Sequence, residues 1–250
     1  MTTLVLQRQL TNMYLVNKMD ITNFMGAIFD LDGTLFDSVG IWKDVDQAFF
    51  EKRKIEMPDD YQECIKDMHF RTMAIYTKER FSLPDDINDI MDEWCELCYE
   101  EYENKIGLKN GALEFLKYIK SLGIKIAFAT ANTTELSEIC LKSNKIFDMF
   151  DANAYLHETQ SDKCEPDVYL LACERLGLKP CECVVFEDIL PGVKGAKKGG
   201  FAVCGVYDKF SEKDADEIRT VADYYIKSFE DLLQSYTLLH FTNTQKRSII

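Results

Sequence analysis

The chain has 250 residues, with 43 acidic and 29 basic side chains and a formal net charge of −14, which disfavours nucleic acid and anionic membrane surfaces as partners. A hydrophobic content of 46% and a charged content of 29% are those of an ordinary globular chain, long enough for one or two domains and a sizeable core. No apolar run approaches the roughly 20 residues needed to span a bilayer.

Taken in chain order, residues 1–24 lack the long apolar core of a signal peptide and contain a second methionine, Met19; they read as a disordered or loosely docked N-terminal extension. Met25 to Phe29 reads as a short buried strand, with Gly33 as the turn that ends it. Residues 40–105 show no strand-like runs but carry helical periodicity, with Ile41, Val45, Ala48 and Phe49 on one face and a stripe from Ile87 to Leu97 on another, which predicts an inserted helical domain. After it the pattern alternates. Helices are predicted at 111–122, 133–143 and 167–176, and strands at 125–130, 149–155, 183–187, 201–206 and 222–226. Alternation of this kind implies a parallel sheet covered on both faces. The predicted fold class is therefore α/β: a Rossmann-like sheet core formed discontinuously by 25–39 and 106–235, an α-helical insert at 40–105, and a C-terminal tail at 236–250.

The nine cysteines are odd in number and scattered, and no secretory signal accompanies them, so reduced thiols in a cytoplasmic protein are expected. Cys95-x-x-Cys98 lies within the helical stripe and is expected to pack in the core; Cys181-x-Cys183 lacks a second pair to complete a zinc site.

The chemistry concentrates in Phe29-Asp30-Leu31-Asp32-Gly33-Thr34-Leu35, where two carboxylates stand two residues apart at a strand's carboxyl end, the place where open α/β sheets bind ligands. Three further pieces end apolar runs or precede turns: Ile126 to Thr130, Lys163-Cys164-Glu165-Pro166-Asp167, and Val184-Val185-Phe186-Glu187-Asp188 followed by Pro191-Gly192-Val193. Asp30, Asp32, Glu187 and Asp188 converging on one site would repel an anionic substrate unless a cation joined them. An all-oxygen set suits magnesium better than zinc. Each piece also has an ordinary reading: a polar turn, a strand end, a solvated lysine, and a solvated cap before a glycine-containing loop over Pro191-Gly192-Val193.

In this order the four pieces resemble the motifs of the haloacid dehalogenase-like superfamily. The resemblance implies Asp30 as a nucleophile forming an aspartyl-phosphate and Asp32 as general acid and base. It implies Mg2+ held by Asp30, the backbone carbonyl of Asp32 and Asp188, with Glu187 adjacent, and phosphate held by Thr130 and Lys163, with Asn132 lining the same pocket. Glu165 and Pro166 follow Cys164 where the family's motif carries a proline at the position of Cys164, so Cys164→Pro is expected to stiffen the loop. The helical insert resembles the mobile cap of the β-phosphoglucomutase-like branch, whose members often use a cap arginine on a distal group; Arg71, in Met68-His69-Phe70-Arg71, falls near it, as either a ligand contact or a surface residue. His69 is read as structural. Mutases of the branch carry a histidine where this chain has Trp42 and a lysine where it has Thr133.

These departures favour a phosphatase acting on a small phosphorylated metabolite, such as a sugar or polyol phosphate. A sugar-phosphate mutase and a non-catalytic phosphate-binding or regulatory protein are the alternatives. A membrane pump is excluded by the absence of spans, and dehalogenation has no use for Asp32 or a metal. A monomer or weak homo-oligomer is expected.

Overall fold

Every residue of Gly26–Phe29 (β1) is buried, as a strand needs to be when helices cover both faces of its sheet. The computed structural model of the chain describes residues 19–38, 40–65, 68 and 70–236. After β1 come four helices, α1 (Ile41–Lys52), α2 (Tyr61–Ile65), α3 (Phe70–Phe81) and α4 (Ile87–Asn104). They form one compact unit, Ser38–Ile106, and the rest of the described residues form the other. That second unit runs α5 (Ala112–Ser121), β2 (Lys125–Thr130), α6 (Thr134–Ser143), β3 (Ala152–Tyr155), α7 (Asp167–Leu176), β4 (Cys183–Glu187), α8 (Leu190–Lys198), β5 (Ala202–Val206), α9 (Ala215–Val221) and β6 (Tyr224–Ile226), with short 3-10 turns between.

The six strands pair in parallel in the order β3-β2-β1-β4-β5-β6. Chain direction across the sheet reverses between β1 and β4, which makes the carboxyl ends of those two strands the binding crevice of a Rossmann-like fold. Phe29 is in register with Phe128 of β2 and Phe186 of β4, and Asp30 extends the ladder by donating its N–H to the Phe186 carbonyl at 3.0 Å. Alternation along the strands then sorts the core into two layers. On one face Phe29 stacks on Phe186 with centroids 4.6 Å apart, and Phe115 and Phe229 close over them. On the other, Ile28, Ala127 and Val185 pack against Val168, Tyr169 and Ala172 of α7 and Val193 and Ala196 of α8.

In the helical unit, α1 buries Ile41, Val45, Phe49 and Phe50, and α4 buries Ile90, Trp94, Cys98 and Tyr102, both at helical spacing. Phe49 meets Trp94 at 5.3 Å, and Phe50 meets Tyr61 and Phe81 at 4.9 and 4.7 Å between centroids. Cys98 packs in this core as expected; Cys95 does not and is exposed, because it lies about 100° around the helix from Trp94.

Two sequence expectations need correction. Residues 19–24 are docked rather than loose: Met19 and Ile21 are buried, and the turn Ile21–Asn23 is capped by Asp20, whose carboxylate accepts from the Thr22 N–H at 3.0 Å and its hydroxyl at 2.6 Å. The segment after Asp188 is helix α8 rather than a loop, because Pro191 sits in the first turn, where its missing N–H costs nothing. Residues 1–18 and 237–250, most of the predicted extension and tail, lie outside the described residues, as do His69 and the Trp42 side chain. Tyr236, the first residue of the predicted tail, is buried and packs on Tyr118 at 5.7 Å. No helix of the described residues is long and apolar enough to cross a membrane.

Candidate active site

Asp30 follows β1 with the alternation parity of Ile28, and Glu187 ends β4 with the parity of Val185, so both side chains leave the sheet on the face covered by α7 and α8. Asp188 comes next. Lys163, from the loop before α7, reaches the same point: its Nζ donates to Asp30 Oδ1 and stands 3.3 Å from Glu187 Oε1. All four residues are buried. Oxygens of Asp30, Glu187 and Asp188 lie within 4.8 Å of one another.

Three carboxylates against one ammonium leave excess negative charge out of water, and the titration behaviour reflects it. Burial, reinforced by the Asp30 charge, pushes the Asp188 carboxyl up to about 7 and Glu187 well above the usual carboxylate range. Burial opposes the charge on Lys163, but Asp30 and Glu187 outweigh it and hold the ammonium well above its ordinary value. Glu187 Oε2 is buried with no hydrogen-bond partner. An orphan carboxylate oxygen within an all-oxygen, net-anionic cluster fits a hard divalent cation, and the cluster contains no histidine or cysteine to favour zinc.

The helices are cut to fit this cluster. A Cβ on Gly192 would lie 1.8 Å from Glu187 Oε1, and one on Gly195 would lie 2.2 Å from the Lys163 carbonyl oxygen. Glycine at these two positions lets α8 approach both residues. Thr34, in the turn after Asp32, donates its hydroxyl to Asp188 Oδ1 at 2.8 Å. That turn is tight: Leu31 O accepts from the N–H groups of Thr34, Leu35 and Phe36, and Gly33 adopts a φ of 81° that favours glycine.

Asp32 is half-buried and stands apart from the three-carboxylate cluster among the described residues. Its Oδ2 accepts from Asn132 Nδ2 at 2.9 Å. Thr130, buried at the end of β2, accepts the Asn132 N–H on its hydroxyl at 3.1 Å. Thr133 caps α6, its hydroxyl accepting the Leu136 N–H at 3.2 Å, so a helix start with its positive end of the peptide dipole lies directly after β2.

The structure thus brings Asp30, Glu187, Asp188 and Lys163 into one buried cluster, and joins Asp32, Asn132 and Thr130 through hydrogen bonds. Arg71 belongs to the helical unit, where it is exposed and donates to Asn88 Oδ1 at 3.0 Å. Thr34 and the packing role of Gly192 and Gly195 escaped the sequence reading. A hydroxyl two residues past the second aspartate was the available signal for Thr34.

The expectation for Cys164 reverses. Its N–H donates to Asp162 Oδ1 at 2.9 Å, a bond that proline cannot make.

Comparison with known proteins gives the same placement. The chain is 28% identical over 179 residues to the phosphorylated carbohydrates phosphatase of Thermotoga maritima, covering 68% of this chain and 82% of that one. It is 30% identical over 187 residues to hexitol phosphatase A of Escherichia coli, covering 72% and 82%. A crystal structure from Thermotoga maritima, provisionally described as a beta-phosphoglucomutase, superposes with a TM-score of 0.76 at 25% identity, covering 85% of this chain and 98% of that one. The family model of haloacid dehalogenase-like hydrolases matches residues 27–206, and by this match over most of its length the chain belongs to the haloacid dehalogenase-like hydrolases.

Proposed function

We propose that the protein is a magnesium-dependent phosphatase that hydrolyses a small phosphorylated metabolite, a sugar or polyol phosphate, through an aspartyl-phosphate on Asp30, in the cytoplasm. The observation that carries the reading is the buried excess of carboxylates at the β1/β4 crevice, with Lys163 on Asp30 and Glu187. A structural ion pair has no need of three acids for one base. A site for a cation and a phosphate dianion does. Relatives named for phosphorylated carbohydrates and hexitols point to the substrate class.

Asp30, Glu187 and Asp188 would hold the metal. Bound there, a divalent cation neutralises charge on the phosphoryl oxygens. Asp30 attacks phosphorus as the ester P–O bond breaks, and Asp32 gives its proton to the departing alkoxide. Asp32 then takes a proton from the water that attacks the aspartyl-phosphate, and inorganic phosphate leaves as the bond to Asp30 breaks. Lys163 offsets phosphoryl charge throughout, and the Thr130 hydroxyl and the start of α6 offer further hydrogen bonds to it. Ser38–Ile106 acts as the cap that selects the substrate.

Hydrolysis is favoured over phosphoryl return because Thr133, at the position of the mutase lysine, carries no charge and serves as a helix cap. The test is release of inorganic phosphate from sugar, polyol, nucleotide and glycolate phosphates, with magnesium or with chelator. Wild type should release phosphate only with magnesium, and Asp30→Asn should lose at least about 10⁴-fold while keeping its melting profile. An Asp30→Asn variant as active as wild type would overturn the mechanism. An isomer appearing instead of free phosphate would establish the mutase.

A further inference from the structure

The connection from β2 to α6 has its own local ties. The Asn132 N–H donates to Thr130 Oγ1, and the Asn132 side-chain oxygen accepts the Thr133 N–H at 2.7 Å. The first is an ST-type turn, a hydroxyl accepting the N–H two residues on, and the second ties the Asn132 side-chain oxygen to the N–H of Thr133, the cap residue of α6. Neither bond uses the Asn132 side-chain nitrogen. Yet Asn132 Nδ2 donates to Asp32 Oδ2, across 100 residues of sequence.

We infer that Asn132 is a positioning residue for Asp32, an inference that rests on the phosphatase reading above. An amide N–H aimed at Oδ2 makes that oxygen an acceptor, so a proton carried by Asp32 sits on Oδ1. The same bond fixes the rotation of the carboxyl plane. Asp32 moves a proton twice in each turnover, first to the alkoxide and then from water, and each transfer requires heavy atoms about 2.6–3.2 Å apart. A half-buried carboxylate free to turn about its last torsion would leave that range. Because the Asn132 backbone and side-chain oxygen are both tied, its nitrogen is held ready. Asn132 therefore acts on the proton carrier.

The test compares wild type with Asn132→Ala and Asn132→Ser, the serine keeping an acceptor for the Thr133 N–H while removing the amide donor. On an alkyl phosphate, kcat should fall about 10–100-fold with KM within about twofold. p-Nitrophenolate needs no proton to leave, whereas water attack still needs Asp32. With p-nitrophenyl phosphate, the first-turnover burst should keep its wild-type rate while steady turnover slows. A raised KM with kcat unchanged, or burst and turnover slowed alike, overturns the inference. A crystal structure of either variant gives a reading independent of activity: a rotated or dispersed Asp32 carboxylate supports the inference, and one held as in wild type overturns it. If wild type released phosphate from no substrate, the phosphatase reading would fail, and the variant structures would still decide what Asn132 does.

Discussion

Among the described residues, a part-buried charge cluster in the helical unit and the buried one at the β1/β4 crevice are built on opposite terms. In the helical unit, Arg53 lies 3.8 Å over the Phe49 ring and pairs with Asp85 at 2.8 Å and Glu93 at 2.5 Å, while Lys52 reaches Glu93 at 2.7 Å. Two cations meet two carboxylates. The Arg53 guanidinium holds Asp85 below the usual carboxylate range, and Glu93 also falls although burial works against it. At the β1/β4 crevice three carboxylates share Lys163, and both Glu187 and Asp188 move up. Charges cancel in the first cluster; the second keeps an excess of negative charge that a cation could offset.

That contrast can be broken most severely at its cations. Lys163→Ala should cut turnover by about 10³-fold or more and destabilise the metal-free protein by about 3 kcal/mol, since it strands buried carboxylates. Magnesium should restore much of that stability by binding the folded state. Arg53→Ala should also lower the melting temperature, with no recovery on adding magnesium. Melting curves for both variants, with magnesium and with chelator, check the pair; equal recovery would erase the distinction.

Gly192→Ala tests the fit of α8 against Glu187. Glycine to alanine inside a helix ordinarily stabilises by about 0.5–1 kcal/mol. Here the new methyl would collide with Glu187 Oε1, so a loss of about 2 kcal/mol and a fall in activity are expected. A more stable variant in denaturant titration would show that Glu187 can move aside freely.

Asp46 supplies a pH test in the helical unit. It is buried and accepts from Gln62 Nε2, and burial pushes its carboxyl up to about 7 from an ordinary 3.8. Between those values the folded chain keeps a proton that the unfolded chain has lost, so stability falls as pH rises from about 4 to about 7 and stays lower above. Asp46→Asn removes the fall. It should gain about 2 kcal/mol at about pH 8 and nothing near pH 4. A gain independent of pH would point to packing instead. The smallest effect is expected from Cys164→Pro, which should lose about 1 kcal/mol with the N–H bond to Asp162; a raised melting temperature would count against that bond.

Much of this arrangement was legible from residue order. Strands ending at Phe29, Thr130 and Glu187 announce themselves as apolar runs followed by polar residues, because strand burial is a local pattern. Helix α8 was not announced, since Pro191 and Gly192 read as breakers. Only packing against Glu187 shows why a glycine belongs inside that helix. Likewise, a proline at 164 looked favourable until the Cys164 N–H was seen to have a partner.

The sequence by itself determined which acids stand at strand ends, that helix and strand alternate, and that a helical insert follows β1, because all three are written in spacings of a few residues. Tertiary structure alone decided which groups touch: Thr34 on Asp188, Asn132 on Asp32, and Lys163 between Asp30 and Glu187. Those pairs lie 24 to 154 residues apart. They meet because the strand order places β4 and β2 on either side of β1. Periodicity gives the face a side chain takes; only the order of strands in the sheet gives its neighbour.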